Sequence, residues 1–268
     1  ETWHTNRGDL VLVASKTAHT YKVRELAERI AQEPFKSALA VTWRAIDIQG
    51  LLAHYIGTDA FTRAVARSSG TTLNTDDRNV IEFGLARSVG RAIFTVADVR
   101  NAARTATMNR PPLDDQASVN WAEVDTGWLS YSASEGSFID TDYKGPPNEQ
   151  ARQAALVRYF RNGDVAAARE AWAAQPGGPR DPTEMAMVAE ILVASASDLA
   201  MPVLDDLRKY QPTEADIILA TLRFRQTRYD EAVMLTEGAL TRLRTDPWPL
   251  MGFKERAVQL GQALAKRN

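Results

Sequence analysis

The stretch Leu219-Ala220-Thr221-Leu222-Arg223-Phe224-Arg225-Gln226-Thr227-Arg228-Tyr229-Asp230-Glu231-Ala232, with Ala239 beyond it, decides the reading of this chain. Ala232 has counterparts at Ala200 and Ala168, each 32 residues earlier and each near the expected start of the second helix of a pair. Leu156, Tyr159, Gly163 and Trp172 surround the first alanine, and Val188, Leu204, Leu207 and Pro212 the second. Leu219, Ala220, Tyr229 and Ala239 surround the third. A small side chain lets two antiparallel helices approach, while larger ones fill the groove to the next pair. The spacing therefore predicts a stack of helix pairs over residues 146–268, with Ala168, Trp172, Ala200, Ala232 and Ala239 as its packing positions. Phe253 to Ala265 reads as an amphipathic helix closing the open end.

Outward from that stack the patterns change. Thr2-Trp3-His4-Thr5 and Leu10-Val11-Leu12-Val13-Ala14 flank the turn residues Asn6-Arg7-Gly8-Asp9, which predicts a hairpin. The second strand is apolar at consecutive positions, as in strands covered on both faces. Helical spacing follows over Tyr21–Glu33, Lys36–Trp43, Ile48–Tyr55 and Thr58–Ala66. Thr95 is placed to cap a helix from Val96 to Ala106, and another helix is expected from Asn120 to Ser134. The Gly, Ser, Asp and Pro residues of 136–147 mark the main boundary. The expected organisation is a first region to residue 90, a helical linker over 91–145 and the repeats after it. The fold class expected is mainly α.

The composition narrows the function. With 268 residues, 44% apolar and 25% charged, the chain has the makings of a globular protein of two domains. Lys and Arg number 32 against 34 acidic residues, a net charge of -2 that argues against a dedicated nucleic-acid binder. There is no cysteine, which excludes disulfides, thiol nucleophiles and thiolate metal sites. The stretch Ile191–Leu204, interrupted by Asp198 and Pro202, is at 14 residues too short to cross a bilayer. No glycine-rich phosphate loop and no G-x-S-x-G elbow occurs. His4, His19 and His54 lack metal-ligand spacing, so neither metal nor cofactor is expected in this stretch of chain.

Three adjacent carboxylate pairs remain. Asp205-Asp206 reads as a solvated helix face and Asp114-Asp115 as a loop or cap. Asp76-Asp77 lies in the polar string Asn74-Thr75-Asp76-Asp77-Arg78-Asn79, either an Asx-type turn or helix cap or a carboxylate pair facing a cation such as a polyamine.

Two resemblances add to these readings. The alanine-centred units resemble tetratricopeptide repeats, best in the third, from Leu219-Ala220 through Tyr229-Asp230-Glu231-Ala232 to Ala239. That resemblance implies an α-solenoid with a groove for a protein or peptide partner, or a surface for self-association. Trp3 to Lys16 resembles the closing hairpin of the spermidine synthase fold. Leu73 to Phe83 is similar to the N-T-D-D-R-P-x-x-E-[FY] signature of bacterial proteins that fuse a membrane region to a spermidine-synthase-like domain, with Asn79 in place of the proline. The segment Phe94 to Arg110, Pro111-Pro112-Leu113 and Asn120-Trp121 is also similar to those proteins. By this resemblance the hairpin is the remnant of an α/β methyltransferase-like sheet, and the glycine-rich cofactor loop and catalytic aspartate would precede Glu1. The stretch would be a non-catalytic, soluble C-terminal region on the cytoplasmic side of an inner-membrane parent. In the alternative, it completes the parent's aminopropyltransferase-like site, with Asn74, Thr75, Asp76 and Asp77 binding the amine.

Overall fold

The computed structural model describes residues 1–5, 9–68, 95–136, 143–246 and 248–267. Among them the protein is mainly helical, with thirteen α-helices and one small three-stranded antiparallel sheet. The chain forms two compact units, one of residues 1–23 and 54–116, the other of 24–53 and 117–268.

In the first unit β1 (Thr2–His4) lies between β2 (Leu10–Leu12) and β3 (Tyr55–Gly57). Thr2, Trp3 and His4 pair with Leu12, Val11 and Leu10, so the two N-terminal segments do pair antiparallel as a hairpin does. Its turn, with Arg7 and Gly8, lies outside the described residues. The apolar run of β2 is not covered on its two faces: Leu10, Val11, Leu12 and Val13 are between 41% and 68% exposed. β2 is an edge strand and among the described residues pairs with β1 alone. β3 is a strand where helical spacing ran to Tyr55. Its three residues are all buried, and Gly57 sits so close to Phe61 that a Cβ would lie 2.4 Å from the ring. Helix α4 (Asp59–Ser68) follows directly. Helix α5 (Val96–Thr105) starts with a reciprocal cap, in which the Asp98 amide donates to Thr95 Oγ1 at 3.2 Å and the Thr95 amide to Asp98 Oδ2 at 2.7 Å. Ile56, Phe61 and Ala103 form this unit's small apolar core. Asp114 ends up as a cap, accepting from the Val23 amide at 3.0 Å.

The second unit begins with α1 (Val23–Ile30) from Arg24 onward, α2 (Phe35–Thr42) and α3 (Ile48–Ala53). It continues with α6 (Trp121–Ser134), α7 (Pro147–Leu156), α8 (Val165–Ala173), α9 (Pro182–Val193), α10 (Met201–Arg208), α11 (Pro212–Arg225), α12 (Tyr229–Leu243) and α13 (Phe253–Ala265). Helix α7 runs on into a π-helical turn, Val157–Arg161. From α6 to α13 each helix packs on the next, and α9, α11 and α13 also touch in turn. Short turns join α7 to α8 and α11 to α12, as in helical hairpins. Leu204, Leu207, Ile217, Ile218 and Phe253 fill the largest core cluster, and Leu156, Tyr159 and Met187 anchor a second. No described helix is long and apolar enough to cross a membrane.

Candidate functional site: a buried charge cluster at the starts of the helices

Ala168, Ala200, Ala232 and Ala239 are fully buried. Ala168 and Ala232 are each the fourth residue of their helices, α8 and α12, and Ala200 stands just before α10. Trp172 is half-buried with the Arg152 guanidinium 4.9 Å from its ring centroid. Asn74, Thr75, Asp76 and Asp77 lie outside the described residues. Asp205 and Asp206 pair at the surface with Arg208 (3.2 Å) and Lys209 (2.7 Å).

Sequence reasoning missed the most unusual chemistry of the second unit. Helices α7, α9 and α11 open on Pro147-Asn148-Glu149, Pro182-Thr183-Glu184 and Pro212-Thr213-Glu214. Proline suits the first helical position, where no amide partner is lost. A carboxylate two residues on meets the positive end of the helix dipole. Here those carboxylates are also buried, with Glu149, Glu184 and Glu214 no more than 2% exposed. The signal was legible as the repeated Pro-x-Glu, yet nothing in it told burial from solvent exposure.

Each glutamate is held by a group from another segment. Glu149 accepts from Thr126 Oγ1 at 2.6 Å and takes Arg180 on both oxygens at 2.8 Å. Arg180 also lies 3.4 Å from Glu123 on α6. Glu184 Oε2 accepts from Arg152 at 2.5 Å and from the Arg180 amide at 2.8 Å. Arg152, itself 1% exposed, donates in addition to Gly178 O at 2.7 Å. Glu214 Oε1 accepts from the Leu250 amide at 2.8 Å. Burying charges of this kind is tolerable only when they are paired and hydrogen-bonded.

The charges are unevenly matched. Glu123, Glu149 and Glu184 share the guanidiniums of Arg152 and Arg180, while Asp181 accepts from the Glu184 amide at 2.9 Å. Arg44 faces the same cleft but is engaged by the carbonyls of Val41 and Trp248 and lies 3.6 Å from Glu135. Burial raises the Asp181 carboxyl above its ordinary range. Burial and the nearby Asp181 charge push Glu184 up to about 7, against the downward pull of Arg152. Between these groups lies a cleft of about 30 Å³, also lined by Asp47, Gly50 and Gly127, with room for little more than one water molecule. It is no substrate pocket. Shallow grooves of about 350 Å³, beside Tyr143, Gln150, Gln153 and Arg158, and about 360 Å³, beside Tyr229, Val233 and Arg267, lie elsewhere on this unit.

The first unit hides polar groups differently. His4 and His54 stack with ring centroids 5.7 Å apart, the His4 amide donates to His54 O at 2.8 Å, and His54 Nδ1 lies 3.2 Å from His4 O. Burial, with the Arg100 charge adding to it, lowers His4 to about 4. No group of three or more His, Asp or Glu among the described residues is arranged to hold a metal ion. No protein family, curated protein or solved structure matches this chain.

Proposed function

We propose that the second unit is a protein-interaction scaffold, an α-solenoid of tetratricopeptide-like helix pairs that receives a partner helix or peptide. The observation that carries this reading is the register of the small residues. Ala168, Ala200 and Ala232 recur at a 32-residue interval, all at 0% exposure and all at or near the start of the second helix of a pair. Successive pairs that nest through small residues leave long side chains free to line an extended surface. The groove beside α7 fits that role in its chemistry. Tyr143, Gln150, Gln153, Arg158 and Asn162 line it with polar side chains, of which Gln150 donates to Gly145 O at 2.6 Å and Arg158 to Ala167 O at 3.2 Å. The charge cluster ties α7 to α6 through Glu149 and Thr126 and to α9 through Arg152 and Glu184. Cross-linking in the native cell, comparing the natural chain with N162W, tests the reading. The expected result is a discrete partner captured by the natural chain and lost from the variant. Capture of no protein, or of the same proteins by both chains, would overturn it.

A further inference from the structure

Among the described residues, the large apolar side chains that stand in water are scattered singly except in one place, the run Leu10-Val11-Leu12-Val13 along β2 and just beyond it. A single exposed apolar residue is ordinary, whereas a contiguous run marks a surface that something covers. The backbone says what kind of cover fits. The Val13 amide donates to Glu1 O at 2.9 Å and the Thr5 amide to Asp9 O at 2.9 Å, so Asp9, Val11 and Val13 turn their backbone groups toward β1. Alternation along an antiparallel ladder turns the amides and carbonyls of Leu10 and Leu12 the other way, onto the outer edge of the sheet. No described residue bonds to them there. The strand also lacks the devices that keep an edge from pairing, with no proline, no lysine and no bulge in residues 10–13. Side chains exposed on both faces, beside unpaired backbone at the edge, fit an added strand. A helix laid on the sheet would cover one face alone.

Charge chooses the occupant. Asp9 stands before the run and Lys16 beyond it, both exposed, with no charge between them. A second copy laid antiparallel brings the Asp9 end of each chain to the Lys16 end of the other, so the match is made twice, while a parallel copy would set like against like. The sheet's other edge strand, β3, is buried in all three residues and packs on α4 and α5, so the pairing closes at two chains. We propose that two copies of this chain associate through β2, edge to edge and antiparallel, joining two three-stranded sheets into one of six strands. This pairing is independent of any partner held by the helical unit.

The test uses the whole chain. Sedimentation velocity from about 10 to about 500 µM should show a monomer–dimer equilibrium, weak because the shared strand is short. Amide hydrogen exchange should slow at Leu10 and Leu12 as concentration rises, while the Val13 amide, already bonded to Glu1, should not change. L12K sets two like charges face to face at a position already 68% exposed and should abolish the dimer with the circular dichroism unchanged. D9K should weaken association severalfold, and K16D added to D9K should restore it. A monomer throughout that concentration range would overturn the proposal. So would a dimer that a folded L12K retains, or one in the natural chain whose Leu10 and Leu12 amides exchange no more slowly than in the monomer.

Discussion

The two units hide polar groups differently, although each buries a guanidinium, Arg100 in the sheet unit against the Tyr55 carbonyl and Arg152 in the helical unit against Glu184. The sheet unit keeps a histidine neutral, with His4 stacked on His54 and tied to it through the backbone. The helical unit buries full charges and pairs them, as Arg152 with Glu184 and Arg180 with Glu149. A neutral imidazole places little demand on its surroundings. A buried guanidinium needs an anion or carbonyl beside it, and removing one member of such a pair strands the other. Tolerance to substitution and response to pH should therefore differ sharply between the units.

The largest effect is expected from R152A, which leaves Glu184 buried beside Asp181 without its cation. Loss of one partner from a buried pair costs about 3–5 kcal/mol, read as a lower urea midpoint for the helical unit. A midpoint within error of the natural chain would erase the contrast. Next comes acid. His4 falls from 6.5 to about 4 on folding, so the stability it leaves the sheet unit is complete above pH 6.5 and lost as pH falls toward 4. The full shift amounts to about 3 kcal/mol at most, and proton NMR of the His4 ring against pH checks it. A232L, which overfills a position with 0% exposure, should cost about 1–3 kcal/mol, again read from urea unfolding. The smallest effect expected is from T95A, which removes the side-chain half of the α5 cap for about 1 kcal/mol. Amide hydrogen exchange confined to residues 96–105 would report it.

Local chemistry made much of this readable before any coordinates. Thr95 and Asn120 cap the helices that follow them because a short oxygen side chain reaches back to a first-turn amide, and that depends on a few neighbouring residues alone. Helix α13 has the bounds that its apolar spacing marks, Phe253–Ala265. The misreadings came where neighbours in space decide. Tyr55-Ile56-Gly57 is too short for alternation to show, and it is a strand because β1 lies beside it. Leu10 to Val13 has the composition of a covered strand but, among the described residues, has only one sheet neighbour. The charge cluster was the hardest to see, since a glutamate on the page looks the same whether water or Arg152 faces it.

The Pro-x-Glu openings of α7, α9 and α11 have a consequence for how such an array is assembled and altered. Glu149 is met by Arg180 from the segment leading into α9, Glu184 by Arg152 from α7, and Glu214 by the amide of Leu250 beyond α12. Every rung is thus bolted to a different piece of chain. Excising α7 would strand Glu184 without Arg152, and excising the segment leading into α9 would strand Glu149 without Arg180.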